Sequence, residues 1–126
     1  MSDTKYVPIP VSSFKNIAVD VIEDGAGNLI VQCIPSLTCT TEDTILNFQI
    51  IQPAGKECDY RFATPDVTDE KNQMGDFTIS RSGKMLTACN AASCPSIVKI
   101  MLNAYDDKQP TKKGKHDPEV LNQPAG

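Results

Sequence analysis

The feature that most restricts the fold is the run SIVKIMLNAY, in which Val98, Ile100, Leu102 and Ala104 alternate with Lys99, Met101 and Asn103. Apolar residues at every second position share one face of an extended chain, whereas on a helix the same spacing scatters them around the axis. The run therefore predicts a long strand with one face in a core. The same period recurs in FKNIAVDVI, which sets Ile17, Val19 and Val21 against Asn16, Ala18 and Asp20. EDGAGN then supplies turn residues, and LIVQCI resumes the apolar run until Pro35, so the two segments read as a hairpin.

Further short segments follow. ILNFQIIQ turns Leu46, Phe48 and Ile50 inward, DYRFAT offers Tyr60 and Phe62, GDFTIS offers Phe77 and Ile79, and MLTAC adds another strand. TDEKNQM has room for one helical turn and no more. With nine prolines as punctuation and no helical periodicity, the expected fold is all-β. A single-domain antiparallel sandwich or small barrel of about 7–8 short strands fits this pattern. The expected core contains Val19, Val21, Val31, Phe48, Ile50, Phe62, Phe77, Ile100 and Leu102. One domain spans 1–126, with 1–5 and 123–126 expected to be flexible and 108–116 a lysine-rich loop.

A chain of 126 residues can bury a core without disulfides or a metal. Its formal net charge of -4 argues against nucleic acid as a partner, because such binding needs a positive field. Lys112, Lys113 and Lys115 surround Gly114 and read as a solvated loop rather than a phosphate site. No stretch approaches the roughly 20 apolar residues of a membrane span, so no membrane partner is expected. The start MSDTKYVPIPV lacks a basic region followed by an apolar one and a cleavage site, which predicts a cytoplasmic protein. Cys33, Cys39, Cys58, Cys89 and Cys94 are odd in number and are expected to be reduced. CNAASC brings Cys89 and Cys94 nearest to a ligand pair, but with no CxxC and one histidine neither structural zinc nor any other cofactor is expected.

The single histidine, His116, also removes metal sites built on two or three imidazoles, and no nucleophile-elbow sequence accompanies it. EDGAGN lacks the lysine and the helix of a phosphate loop. Carboxylates remain, and the informative ones lie in TKKGKHDPEVLNQP. An Asp-Pro bond is chemically weak: the aspartate carboxylate can attack its own main-chain carbonyl, and the tertiary-amide nitrogen departs readily once protonated. Extended, the segment sets Asp117 and Glu119 on one face and His116 and Pro118 on the other. Carboxyls that share a face retain protons more readily than isolated ones, and a protonated acid can assist departure of the proline nitrogen. The competing reading is that Asp117 and Pro118 simply begin the last strand.

HDPEVLNQP, after a lysine-rich linker at the end of a short all-β chain, resembles the small bacterial DP-EP family proteins. That family includes members regarded as self-cleaving aspartic peptidases that cut at the Asp-Pro bond. The resemblance implies that Asp117 precedes the cut, Pro118 follows it and Glu119 is the carboxyl of the same motif. It is sharp over this tail only and elsewhere rests on length and strand pattern. Where the family leads one to expect a Glu-Pro pair, this chain has Gln123 and Pro124.

His116, Asp106, Asp107 and Tyr60 complete the candidate set. Asp106 and Asp107 follow the longest strand and approach the tail if the last two strands pair as a hairpin. Asp59 and Tyr60 open another strand as an acid and a hydrogen-bond donor. The expected activity is thus a self-cleaving aspartic-type peptidase whose C-terminal peptide, 118–126, stays bound as a strand. The alternative is a noncatalytic β-sandwich that binds a protein partner or forms a homo-oligomer, through the apolar run YVPIPV.

Overall fold

A computed structural model describes residues 13–52 and 57–124. The chain forms β1 (Ser13–Glu23), β2 (Leu29–Ile34), β3 (Leu37–Thr40), β4 (Thr44–Ile51), β5 (Tyr60–Thr68), β6 (Thr78–Ile79), β7 (Met85–Asn90), β8 (Ser96–Asp106), β9 (Gln109–His116) and β10 (Glu119–Asn122). One sheet runs β2-β1-β4-β7-β6; the second runs β3-β10-β8-β5, with β9 also on β8. Among the described residues there is no helix. The expected all-β sandwich is therefore present, and it is not a closed barrel. The run YVPIPV and the segment 1–5 lie outside the described residues.

Alternation decides which side chains enter the core. Val19, Val21, Val31, Leu46, Phe48 and Leu86 from the first sheet meet Tyr60, Phe62, Val98, Ile100, Leu102 and Val120 from the second, all almost fully buried. Of the expected core, Phe77 alone is only partly buried, packed against this cluster. Its segment GDFTIS contributes just the two-residue β6. The β1–β2 hairpin forms as expected, with Val19 opposite Cys33 and Val21 opposite Val31. Its turn is closed by Asp24, whose Oδ1 accepts from the N–H groups of Ala26 at 2.7 Å and Asn28 at 3.1 Å.

Three expectations need correction. The segment 108–116, expected as a loop, forms the β8–β9 hairpin, with Lys113 opposite Tyr105 and Lys115 opposite Asn103. Its residues are nearly all polar, so no apolar alternation marked it as a strand; lysines are common on strands near a sheet margin because they deter further pairing. TDEKNQM forms no helical turn, because the Asp69 carboxylate takes the N–H groups of Gln73 at 2.9 Å and Met74 at 2.7 Å. Finally, the sheets are mixed: β1 runs parallel to β4, and β3 runs parallel to β10.

The parallel pairs arise from one crossing. After Ile34 the chain leaves the first sheet at Pro35 and enters the second as β3. There β3 receives β10 on its inner side, making the C-terminal strand an interior one between β3 and β8. A buried polar cluster ties this strand to the other sheet. The Thr40 hydroxyl donates to Asn122 Oδ1 at 2.5 Å, and Asn90 Nδ2 donates to the same oxygen at 2.8 Å. Asn122 Nδ2 in turn donates to Ser96 Oγ at 3.1 Å.

Candidate active site at the Asp117–Pro118 junction

β9 and β10 lie on the same edge of β8 in one unbroken register. His116 stands opposite Leu102 and Glu119 opposite Lys99, so Asp117 and Pro118 fall opposite Met101 and Ile100. The Ile100 N–H donates to the Pro118 carbonyl at 3.1 Å. The return bond that an antiparallel pair would exchange is missing, because proline has no N–H. On the other side the Glu119 N–H donates to the Ser36 carbonyl at 3.0 Å. Strand alternation turns the Asp117 carbonyl to that same side, where it receives no hydrogen bond among the described residues. The Asp117–Pro118 peptide unit thus makes no hydrogen bond of its own, although the residues that follow it are held on both edges.

The unit borders an open groove of about 370 Å³ lined by Ser36, Leu37, His116, Asp117 and Glu119. Pro118 is buried, Asp117 exposed, and His116 and Glu119 partly exposed. Asp117 and Glu119 share the outer face, as the alternation predicts. The His116 ring is turned so that Nε2 is buried with no hydrogen-bond partner among the described residues. Gln123 extends the β3 ladder by donating its N–H to the Thr40 carbonyl at 2.8 Å.

The other candidates gather elsewhere. Asp106 pairs with Tyr60 on one side and Gln109 on the other, at the turn of the β8–β9 hairpin. Five residues of β8 separate Asp106 from the position opposite Asp117, a distance of ~17 Å along the strand. The hairpin expected to bring Asp106 and Asp107 to the tail does form, but it sets them at its closed end while the tail lies at the other. Asp106 Oδ1 closes the turn by accepting from the N–H groups of Lys108 at 3.0 Å and Asp59 at 3.1 Å. Tyr60 is fully buried, and burial first, with neighbouring Cys58, pushes its phenol up to about 12.

Sequence reasoning missed the ion network at that end. Arg61 Nη2 lies 2.8 Å from Asp59 Oδ2, Lys84 Nζ lies 2.9 Å from Asp59 Oδ1, and Arg61 also approaches Asp107 at 3.5 Å. Lys84 further donates to Gln52 Oε1 at 3.0 Å and to the Tyr60 carbonyl, linking the two sheets. Only the short Asp59–Arg61 spacing was visible in the chain. The hydrogen bonds from Arg61, then Lys84, lower the Asp59 carboxyl to about 2. Since the folded value lies below the unfolded one, this stabilisation is complete above about pH 4 and is lost as pH falls through about 2. Wild-type protein is expected to lose ~1–2 kcal/mol more than Asp59→Asn over that window in urea titrations, after allowance for partial exposure. Parallel acid limbs for the two proteins would remove Asp59 from the account.

Among the described residues no three His, Cys, Asp or Glu side chains converge as a metal-holding group. Cys33 and Cys58 are buried while Cys39 and Cys89 are exposed, and burial pushes the Cys33 thiol up to about 12. No helix among the described residues is long and apolar enough to cross a membrane. The chain matches no protein-family model and no curated protein.

Proposed function

We propose that the protein hydrolyses its own Asp117–Pro118 bond and retains the peptide that begins at Pro118 through β10. The observation that carries this reading is the peptide unit without hydrogen bonds, set between held neighbours and open to a groove. Cleaving it costs no ladder bond, and the flanking bonds to Ile100 and Ser36 keep the reacting groups in place. The resemblance of HDPEVLNQP to the self-cleaving DP-EP proteins supports the same bond.

In the proposed reaction an Asp117 carboxylate oxygen attacks the Asp117 main-chain carbonyl carbon. The carbon–nitrogen bond breaks as a proton passes to the Pro118 nitrogen, leaving a five-membered cyclic anhydride. Water then opens the anhydride, giving the side-chain and the new C-terminal carboxyl groups. His116 is assigned as the proton donor because alternation sets it on the same face as Pro118 and its Nε2 is buried with no hydrogen-bond partner among the described residues. Glu119 shares the outer face with Asp117 and borders the same groove.

Intact-mass measurement of stored native protein tests this directly. The expected product is a new N-terminus at Pro118, formed far more slowly by urea-unfolded protein. Asp117→Asn should slow cleavage by ~100-fold or more, the usual size of such a loss, and Glu119→Gln by less. Equal rates for native and unfolded protein, or an uncut native tail after weeks, would leave Asp117 as an ordinary strand residue.

A further inference from the structure

Where β2 leaves the first sheet, it uncovers strand edges that the fold does not reuse. β2 pairs with β1 only over Ala18–Glu23. Ser13–Ile17 of β1 is covered by β4 on one side and, among the described residues, by no strand on the other. Across the corner β3 is the edge of the second sheet, with β10 as its strand neighbour. The two edges face each other over an open groove of about 350 Å³, walled by Lys15–Ile17 and by Pro35 and Leu37–Cys39. One side chain spans it: Lys15 Nζ donates to the Cys39 carbonyl at 2.6 Å. Beside it stand Phe14 and Ile34, each 61% exposed, and Leu37 at 49%. Open main-chain groups flanked by exposed apolar side chains are what an added strand requires.

We propose that this groove receives Tyr6–Val11 of a second copy of the chain, exchanged reciprocally to form a two-fold dimer. The sequence of that segment, YVPIPV, fits a one-sided strand. In an extended chain the N–H and C=O groups of Val7, Ile9 and Val11 all point to one edge, while Pro8 and Pro10 leave the opposite edge with Tyr6 as its one donor. Such a strand pairs with the groove and presents an outer edge whose prolines discourage a further strand. Val7, Ile9 and Val11 also share a face and can cover Phe14 and Ile34. Docking on its own copy would require the chain to reverse at Ser12–Ser13, a link without the Gly, Asn or Asp that tight two-residue hairpins use. A reciprocal exchange meets no such demand and closes as a symmetric pair. This inference does not rest on the cleavage reaction: Leu37 borders both grooves, but none of His116, Asp117 and Glu119 lines this one.

Sedimentation equilibrium of the full chain tests it. The expected result is a dimer that dissociates on dilution. Ile9→Lys and Phe14→Ser should each weaken it at least tenfold without altering the circular dichroism spectrum, because Phe14 supports nothing in the core. A synthetic peptide covering residues 4–12 should bind the Ile9→Lys protein. A monomer at every concentration would overturn the proposal, as would a dimer that survives both substitutions. So would a monomer that Ile9→Lys destabilises, which would place the segment on its own copy.

Discussion

A chain ending at Asp117 is expected to be unfolded, whereas the same chain mixed with a synthetic Pro118–Gly126 peptide is expected to recover the native β-sheet spectrum. The peptide supplies an interior strand, bonded to β3 on one side and β8 on the other. Val120 is 1% exposed, and its burial contributes ~2 kcal/mol. Removing Asn122 takes away the acceptor of the Thr40 hydroxyl and the donor to Asn90 Oδ1, leaving these buried groups only the bond from Asn90 Nδ2 to Thr40 Oγ1 at 3.0 Å, a loss of ~1–3 kcal/mol for each group left short of a partner. Adding ladder bonds at ~1 kcal/mol apiece brings the loss into the range of about 5–15 kcal/mol that holds a whole domain together. Circular dichroism with and without peptide, followed by urea titration, measures this. A truncated chain that unfolds cooperatively with nearly wild-type stability would show that β10 is dispensable. The result also matters for the proposed cleavage: a cut bond leaves the strand in place, while a missing strand removes the fold.

Gly114→Ala is expected to destabilise the protein by ~3 kcal/mol or more, at the upper end of the cost of overpacking. Gly114 lies in β9 where that strand crosses β2, and a Cβ added there would stand 2.2 Å from the Leu29 carbonyl oxygen and 2.8 Å from its carbon. Both are main-chain atoms held by the β1–β2 ladder, in which Leu29 pairs with Glu23. Relief requires β9 to lift away from β2, opening the side of the sandwich where the sheets meet. Gly83 gives a useful contrast. Its added Cβ would meet the Arg61 side chain, which can move, although its φ of +76° also disfavours other residues. Thermal unfolding of Gly114→Ala within a degree or two of wild type would show that β9 can shift freely.

The candidate site was legible in part. Asp117, Pro118, Glu119 and His116 are adjacent in the chain, and alternation alone assigned Asp117 and Glu119 to one face, as the structure has them. The groove side was not legible, because Ser36 and Leu37 stand at the start of β3, about eighty residues away, which reaches β10 only through the crossing at Pro35. Asp106 and Asp107 show the converse. Their position after the longest strand was readable, but their distance from the tail depends on which end of the hairpin each occupies, and that is a matter of register. The Asp59–Arg61–Lys84 network joins β5 to the start of β7, and nothing local marks Lys84 as the partner of an acid on the other sheet.

What the chain determined by itself was the inward face of each strand that carries apolar residues. Val98, Ile100, Leu102 and Ala104 needed no neighbour to identify them, because the pleat sends every second side chain to one side and burial favours the apolar ones. The turn of the first hairpin was likewise local, as Asp24 with its glycines shows. Tertiary structure decided which strand lies beside which. Main-chain donors and acceptors are alike in every strand, so pairing is chosen by the joint packing of two sheets and by the routes the connections permit. That choice made β1 parallel to β4, set polar β9 against β8, and carried the tail into an interior position between β3 and β8. It also left one peptide bond, between Asp117 and Pro118, without a hydrogen bond of its own beside a groove.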